Sequence, residues 1–70
     1  MSMKIIVNGA PRDVPEGLNI ASLIESLGIP GDRVAIERNQ RIVRKAEWTA
    51  TVVQAGDSIE VVTFVGGGSV

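Results

Sequence analysis

From Phe64 to Val70 the chain reads FVGGGSV, and the three successive glycines Gly66, Gly67 and Gly68 are its most unusual chemical feature. Glycine has no side chain with which to fill a core or hold itself against one. These residues are therefore expected to form a flexible tail, residues 66–70, behind a folded domain of residues 1–65. Three extended residues reach about 10 Å beyond Val65, enough to thread a narrow channel and deliver a carboxylate while the folded body stays outside. Without a Cβ, nothing obstructs attack at the carboxyl carbon or clashes with tight walls. Such an end suits activation as an acyl adenylate by a partner enzyme, with this chain as the substrate. Taken alone, a glycine run is more often a loose end or a linker, so the residues before it decide.

The rest of the composition leaves little room for chemistry of the chain's own. There is no cysteine and no histidine among the 70 residues. That excludes a disulfide framework, a thiolate metal site, a cysteine nucleophile and the usual general base near neutral pH. The carboxylates are dispersed over turns and strands, so neither an acid/base dyad nor a metal site is expected. Asp57 is expected to shape its turn through side-chain to backbone hydrogen bonding. Formal net charge is −1 with both signs mixed along the chain. No long-range field is available to draw in nucleic acid or an anionic membrane, and neither is expected as a partner.

One basic cluster, Arg38, Arg41, Arg44 and Lys45 with Trp48 nearby, has the composition that can hold single-stranded RNA by charge and stacking. With one aromatic and no positive balance it reads better as a solvated turn with snorkelling side chains, or as a contact to an acidic patch on a partner enzyme. Trp48 is expected to be partly buried under the sheet. No stretch approaches the roughly 18 apolar residues of a membrane span, and the first apolar run is too short for a signal peptide. A cytoplasmic protein, monomeric when free, is expected.

The elements that must carry the tail follow from periodicity. Met3 to Val7 alternates as a strand, Asn8-Gly9 supplies a tight hairpin turn, and a second strand falls around Arg12 to Val14. Asn19 can cap a helix whose Ile20, Leu23, Ile24 and Leu27 share one face, and Gly28 and Pro30 stop it. RVAIE predicts a third strand, Ile42-Val43 a short one, RKAEW a helical turn, Val52-Val53 another short strand, and SIEVVTFV the last strand. The order predicts an α+β domain of the β-grasp, ubiquitin-like kind, a mixed sheet of four to five strands with one amphipathic helix packed on one face.

In the last strand, a period of two puts Ile59, Val61 and Val65 on one face with Thr63, and Glu60, Val62 and Phe64 on the other. Ile6 has the same outward parity in the first strand, which neighbours the last in a β-grasp sheet. Ile6, Val62 and Phe64 are thus predicted to form an apolar docking patch beside the tail.

The stretch VAIERNQRIVRKAEW, followed by VVQAGDSIEVVTFVGGG, resembles the second half of the ThiS sulfur-carrier proteins of thiamine biosynthesis. The likeness runs from Val34 to Gly68, and the spacing from Glu37-Arg38-Asn39 through Trp48 and Gly56-Asp57 to the glycines is kept as a whole. It implies a carrier whose terminal glycine carboxylate is adenylated by a ThiF-like enzyme. A sulfur donor such as a cysteine desulfurase relay then converts the adenylate to a thiocarboxylate, and a ThiG-like thiazole synthase receives the sulfur. On this likeness Gly67-Gly68 is the diglycine end and Gly68 bears the sulfur. ATP and magnesium belong to the activating enzyme, and the chain itself carries no cofactor.

The sequence departs from the family at Gln40 and Arg44, where relatives often have glycine and proline. It departs more seriously at Ser69 and Val70, which follow the glycines. Trimming by a peptidase, residues added in cloning, and loss of the tail's role all account for that end. A carrier for another acceptor, in molybdopterin or cysteine synthesis, and a β-grasp interaction domain without tail chemistry stand as the alternatives.

Overall fold

Asn8 and Gly9 both take positive φ, 51° and 83°, and fold the first two strands back on each other. The computed structural model describes residues 1–64. Strand β1, Ser2–Val7, pairs antiparallel with β2, Ala10–Pro15, in a register that sets Val7 opposite Ala10. Helix α1, Ile20–Ser26, starts where the Asn19 side chain accepts the Ser22 N–H at 2.8 Å, the predicted cap. It stops one residue after Ser26, with Leu27 as its C-cap and Gly28 at φ 73°.

A 3-10 turn, Gly31–Arg33, leads into β3, Val34–Arg38, then β4, Arg41–Val43. After a second 3-10 turn, Lys45–Glu47, comes β5, Ser58–Thr63. The sheet order is β2-β1-β5-β3-β4. β1 and β5 run parallel and every other pair is antiparallel, which makes β5 the middle strand of a mixed five-stranded sheet. This is the α+β, β-grasp arrangement that the element order predicts.

The core lies between the helix and one sheet face. Ile20, Leu23 and Ile24 from α1 pack among Ile5 and Val7 of β1, Val34 and Ile36 of β3, and Ile59 and Val61 of β5. The alternation read from the sequence therefore holds on all three central strands.

Two expectations change. Val52-Val53 forms no strand of the sheet: Val52 makes a single bridge with Asn19, and the Val53 N–H donates to the Leu18 carbonyl at 2.8 Å. β-branched residues favour extended backbone, but the backbone available to pair here is the approach to the helix, so the segment straps the helix entrance. Trp48 is 5% exposed, more deeply buried than predicted, and its indole N–H donates to the Val43 carbonyl at 3.0 Å. That bond satisfies the one polar group of the ring inside the core. Among the described residues, no helix is long and apolar enough to cross a membrane.

Candidate functional site

The three glycines and the predicted boundary at Val65 lie outside the described residues. The site is therefore built from the strand that leads to them. β5 is held on both sides, by β1 and by β3, and its two ends are held differently.

At its start, Asp57 is 6% exposed and is the buried polar residue of the core. One carboxylate oxygen accepts from the Arg38 Nε at 2.7 Å and from the Gln54 backbone N–H at 2.8 Å, and the other accepts from the Asn39 amide at 3.0 Å. The Asn39 side-chain oxygen in turn accepts the Ser58 N–H at 2.9 Å. Burial alone pushes the Asp57 carboxyl up. The Gln54 N–H, the Arg38 and Asn39 donors and the Arg38 charge outweigh it and leave the group below its ordinary value. The predicted turn role of Asp57 is present, and the structure adds the ties to Arg38 and Asn39. Within the basic cluster, Arg38 is bonded to Asp57 and Trp48 is buried.

At its far end β5 outlasts β1. The parallel register runs only from Ile6 beside Ser58 to Val7 beside Ile59. The Asn8 N–H reaches the Ile59 carbonyl at 2.9 Å, and there the chain turns away into the hairpin. The Asn8 side chain then takes the place of the missing strand. Its oxygen accepts the Val61 N–H at 2.8 Å and its amide donates to the Val61 carbonyl at 3.3 Å. On the other side β3 continues to hold β5, with Ala35 opposite Val62 and Val34 opposite Thr63, and the Phe64 N–H donates to the Arg33 carbonyl at 2.8 Å.

Val62 and Phe64 are 51% and 57% exposed, the outward apolar pair predicted from parity. Ile6 does not join them. It is half-buried and level with Ser58, four residues from Val62 along β5, which is roughly 13 Å at the strand rise. Parity assigns a face, whereas register assigns a height. Between them Glu60 lies directly opposite Glu37, which is in turn opposite Ile42, 74% exposed on β4. The open face therefore carries an apolar end beside the tail, two facing carboxylates in the middle, and Ile6 at the other end.

Sequence reading missed two sets of contacts, the Asn8 clamp on Val61 and the Arg38-Asn39 grip on Asp57. Asn8 is fully accounted for in the sequence by its turn, and nothing local shows that its side chain is used 53 residues away.

Comparison with known proteins agrees with this architecture. The ThiS family profile matches residues 5–68. A crystal structure of the thiamine biosynthesis protein ThiS from Geobacter metallireducens superposes with a TM-score of 0.82 at 35% identity, over 94% of this chain and 100% of that one. The chain is also 39% identical over 67 residues to a thiazole synthase of Paramagnetospirillum magneticum and 42% identical over 66 residues to one of Magnetococcus marinus. These alignments cover 96% and 94% of this chain but only 21% and 20% of the relatives, so it spans about a fifth of their length. With the profile match covering residues 5–68 and the fold shared over 94% of the chain, the chain belongs to the ThiS family.

Proposed function

We propose that this protein is a sulfur carrier for thiazole formation in thiamine biosynthesis, and that the reacting group is the Gly68 carboxylate. The observation that carries the reading is that Gly66-Gly67-Gly68 follow the middle strand of a ThiS-family domain in sequence, with only Phe64 and Val65 between. The chain acts as substrate. A ThiF-like enzyme, which holds the ATP and magnesium, joins the carboxylate to AMP. A sulfur nucleophile supplied by a donor such as a cysteine desulfurase relay expels the AMP, and the resulting thiocarboxylate passes its sulfur to a ThiG-like thiazole synthase. The thiazole synthase partner is supported by the two relatives of that name, each containing a segment like this whole chain.

In this reading the folded body is the handle. Val62 and Phe64 dock the partner next to the tail, and Ile6 marks the far edge of the same face. Glycine suits the channel because it adds no Cβ. In the sequence as it stands, reaction at Gly68 requires removal of Ser69 and Val70 by a peptidase. The proposed setting is the cytoplasm, where the adenylating enzyme has its ATP.

The test is the intact mass of the untagged protein from its own cells, resolved well enough to tell a carboxylate from a thiocarboxylate. A species ending at Gly68 and heavier by the difference between sulfur and oxygen is expected. A homogeneous population that keeps Ser69 and Val70 under thiamine starvation would overturn the proposal.

A further inference from the structure

β5 delivers the tail, so the geometry of its last residues sets where the tail starts. Those residues lose one neighbour before the other. β1 departs after pairing Val7 with Ile59, while β3 stays alongside through Thr63, and Arg33 just before it bonds Phe64. Left there, β5 would have a bare edge from Val61 onward. The Asn8 side chain prevents this at Val61 by accepting from its N–H and donating to its carbonyl, so that one amide satisfies both main-chain groups of that residue. Hydrogen bonding to β5 on the β1 side thereby continues past Ile59 to Val61 without any further strand.

The hairpin does not require this. At φ 51° the turn asks only for a residue that tolerates the left-handed region, and glycine tolerates it at least as well. What asparagine adds is the side chain, and both ends of that side chain are engaged across the sheet.

We propose that Asn8 is a positioning residue for the reaction at the tail: by clamping Val61 it holds in place the end of β5 that the glycines follow in sequence. The inference rests on the carrier reading above. In the activation step a carboxylate oxygen of Gly68 attacks the α-phosphorus of ATP. The new oxygen–phosphorus bond forms as the bond to pyrophosphate breaks, and pyrophosphate leaves with the electron pair. That attack needs the carboxylate within a narrow volume of the activating enzyme's site. Val62 and Phe64, held by β3, dock the body with or without the clamp. The clamp holds Val61 in place, so its loss acts on how the bound body presents its reacting end.

The discriminating variant is Asn8→Gly, which keeps the turn and deletes the clamp. Wild type is first assayed for pyrophosphate release with a ThiF-like adenylating enzyme and ATP–magnesium, as the full chain and as a chain ending at Gly68. The variant is then compared in whichever form reacts. The expected result is a fall of about tenfold in kcat, with the half-saturating protein concentration changed by less than about twofold. A purely structural role gives another pattern. A partly unfolded variant is a more dilute substrate, so half-saturation rises and kcat is unchanged. An unchanged kcat for Asn8→Gly overturns the inference, whatever happens to half-saturation.

Should Asn8→Gly fail to fold by circular dichroism, Asn8→Asp replaces it. The carboxylate still tolerates the turn and accepts the Val61 N–H but loses the donor, and a smaller drop in kcat is expected. An unchanged kcat again overturns the proposal. If wild type releases no pyrophosphate in either form, the carrier reading itself fails and takes this inference with it.

Discussion

The two ends of β5 are built on opposite terms. At Asp57 the strand begins with a carboxylate that is buried, charged and bonded on both oxygens. At Phe64 it ends with a half-exposed ring, a single backbone bond to Arg33 on one side, and a side-chain clamp three residues back on the other. At the first end both carboxylate oxygens are bonded within the chain, which suits that end to stability. The second leaves apolar surface and a chain exit available, so it can serve a partner. The comparison predicts that substitutions at the two ends separate activity from folding.

The largest effect is expected beyond the exposed end. Gly68→Ala adds a Cβ at the residue proposed to react, and activation by a ThiF-like enzyme, measured as pyrophosphate release from a chain ending at residue 68, should fall at least about 100-fold. The thermal midpoint should not move, because the buried core is built from residues between Ile5 and Val61. Undiminished activation would remove the carrier reading.

At the buried end the pattern reverses. Asp57→Ala leaves Arg38 and Asn39 without their acceptor and the Gln54 N–H without its bond. The expected loss is about 2–4 kcal/mol of unfolding free energy in a urea titration. Activation by the folded fraction should be unchanged. The pH dependence has a definite sign. A carboxyl held below its ordinary value of 3.8 contributes stability that is fully present above that value. The contribution is lost as pH falls through the lower folded-state value. Wild type should therefore become less stable with acid below about pH 4, and Asp57→Asn, which has no carboxyl to titrate, should show a shallower slope in that window. Equal slopes would mean that the network does not favour the ionised form.

What the sequence made legible divides along the same line. Local chemistry was readable: Asn8-Gly9 as a turn, Asn19 as a cap, Gly28 as a stop, and the faces of β3 and β5 from their alternation. These depend on neighbours within a few residues. The outward exposure of Val62 and Phe64 belongs to this class. Contacts set by register were not readable. Parity placed Ile6 on the right side of the sheet, but its separation from Val62 depends on how β1 and β5 slide past each other, and a period of two carries no information on sliding. Val52-Val53 failed for a related reason, since an extended pair shows its conformation and not its partner. Asn8 had a sufficient local explanation in its turn, which concealed a second role in holding β5.

A smaller effect than either of the first two is expected on the exposed face itself. Phe64→Ala removes a ring that is more than half in water, so unfolding free energy should change little, by less than about 0.5 kcal/mol. The affinity for the adenylating enzyme, by titration calorimetry, should drop about tenfold, a loss typical of an aromatic near an interface centre. Unchanged affinity would move the docking surface away from the tail. Ile6→Ala, roughly 13 Å away at the other end of the face, should weaken binding less than Phe64→Ala does. The reverse order would show that the partner spans the whole sheet and grips it from β1.

The smallest effect lies between the two ends, where the strand is neither buried nor apolar. Glu60 and Glu37 face each other across β5 and β3, and among the described residues the ion pairs are Lys4 with Asp13 and Arg38 with Asp57, so neither glutamate has a cation. Like charges in directly opposed positions on one sheet face destabilise the pair. Glu60→Gln keeps the size and hydrogen-bonding capacity of the side chain and removes one charge. Unfolding free energy should rise by about 0.2–1 kcal/mol at low ionic strength. The gain should shrink in about 1 M salt, where screening acts over only about 3 Å. A loss of stability on substitution, or a gain insensitive to salt, would show that the two carboxylates do not repel across the sheet. The middle of β5 would then resemble its satisfied beginning, and the contrast with the exposed end would start at Val62.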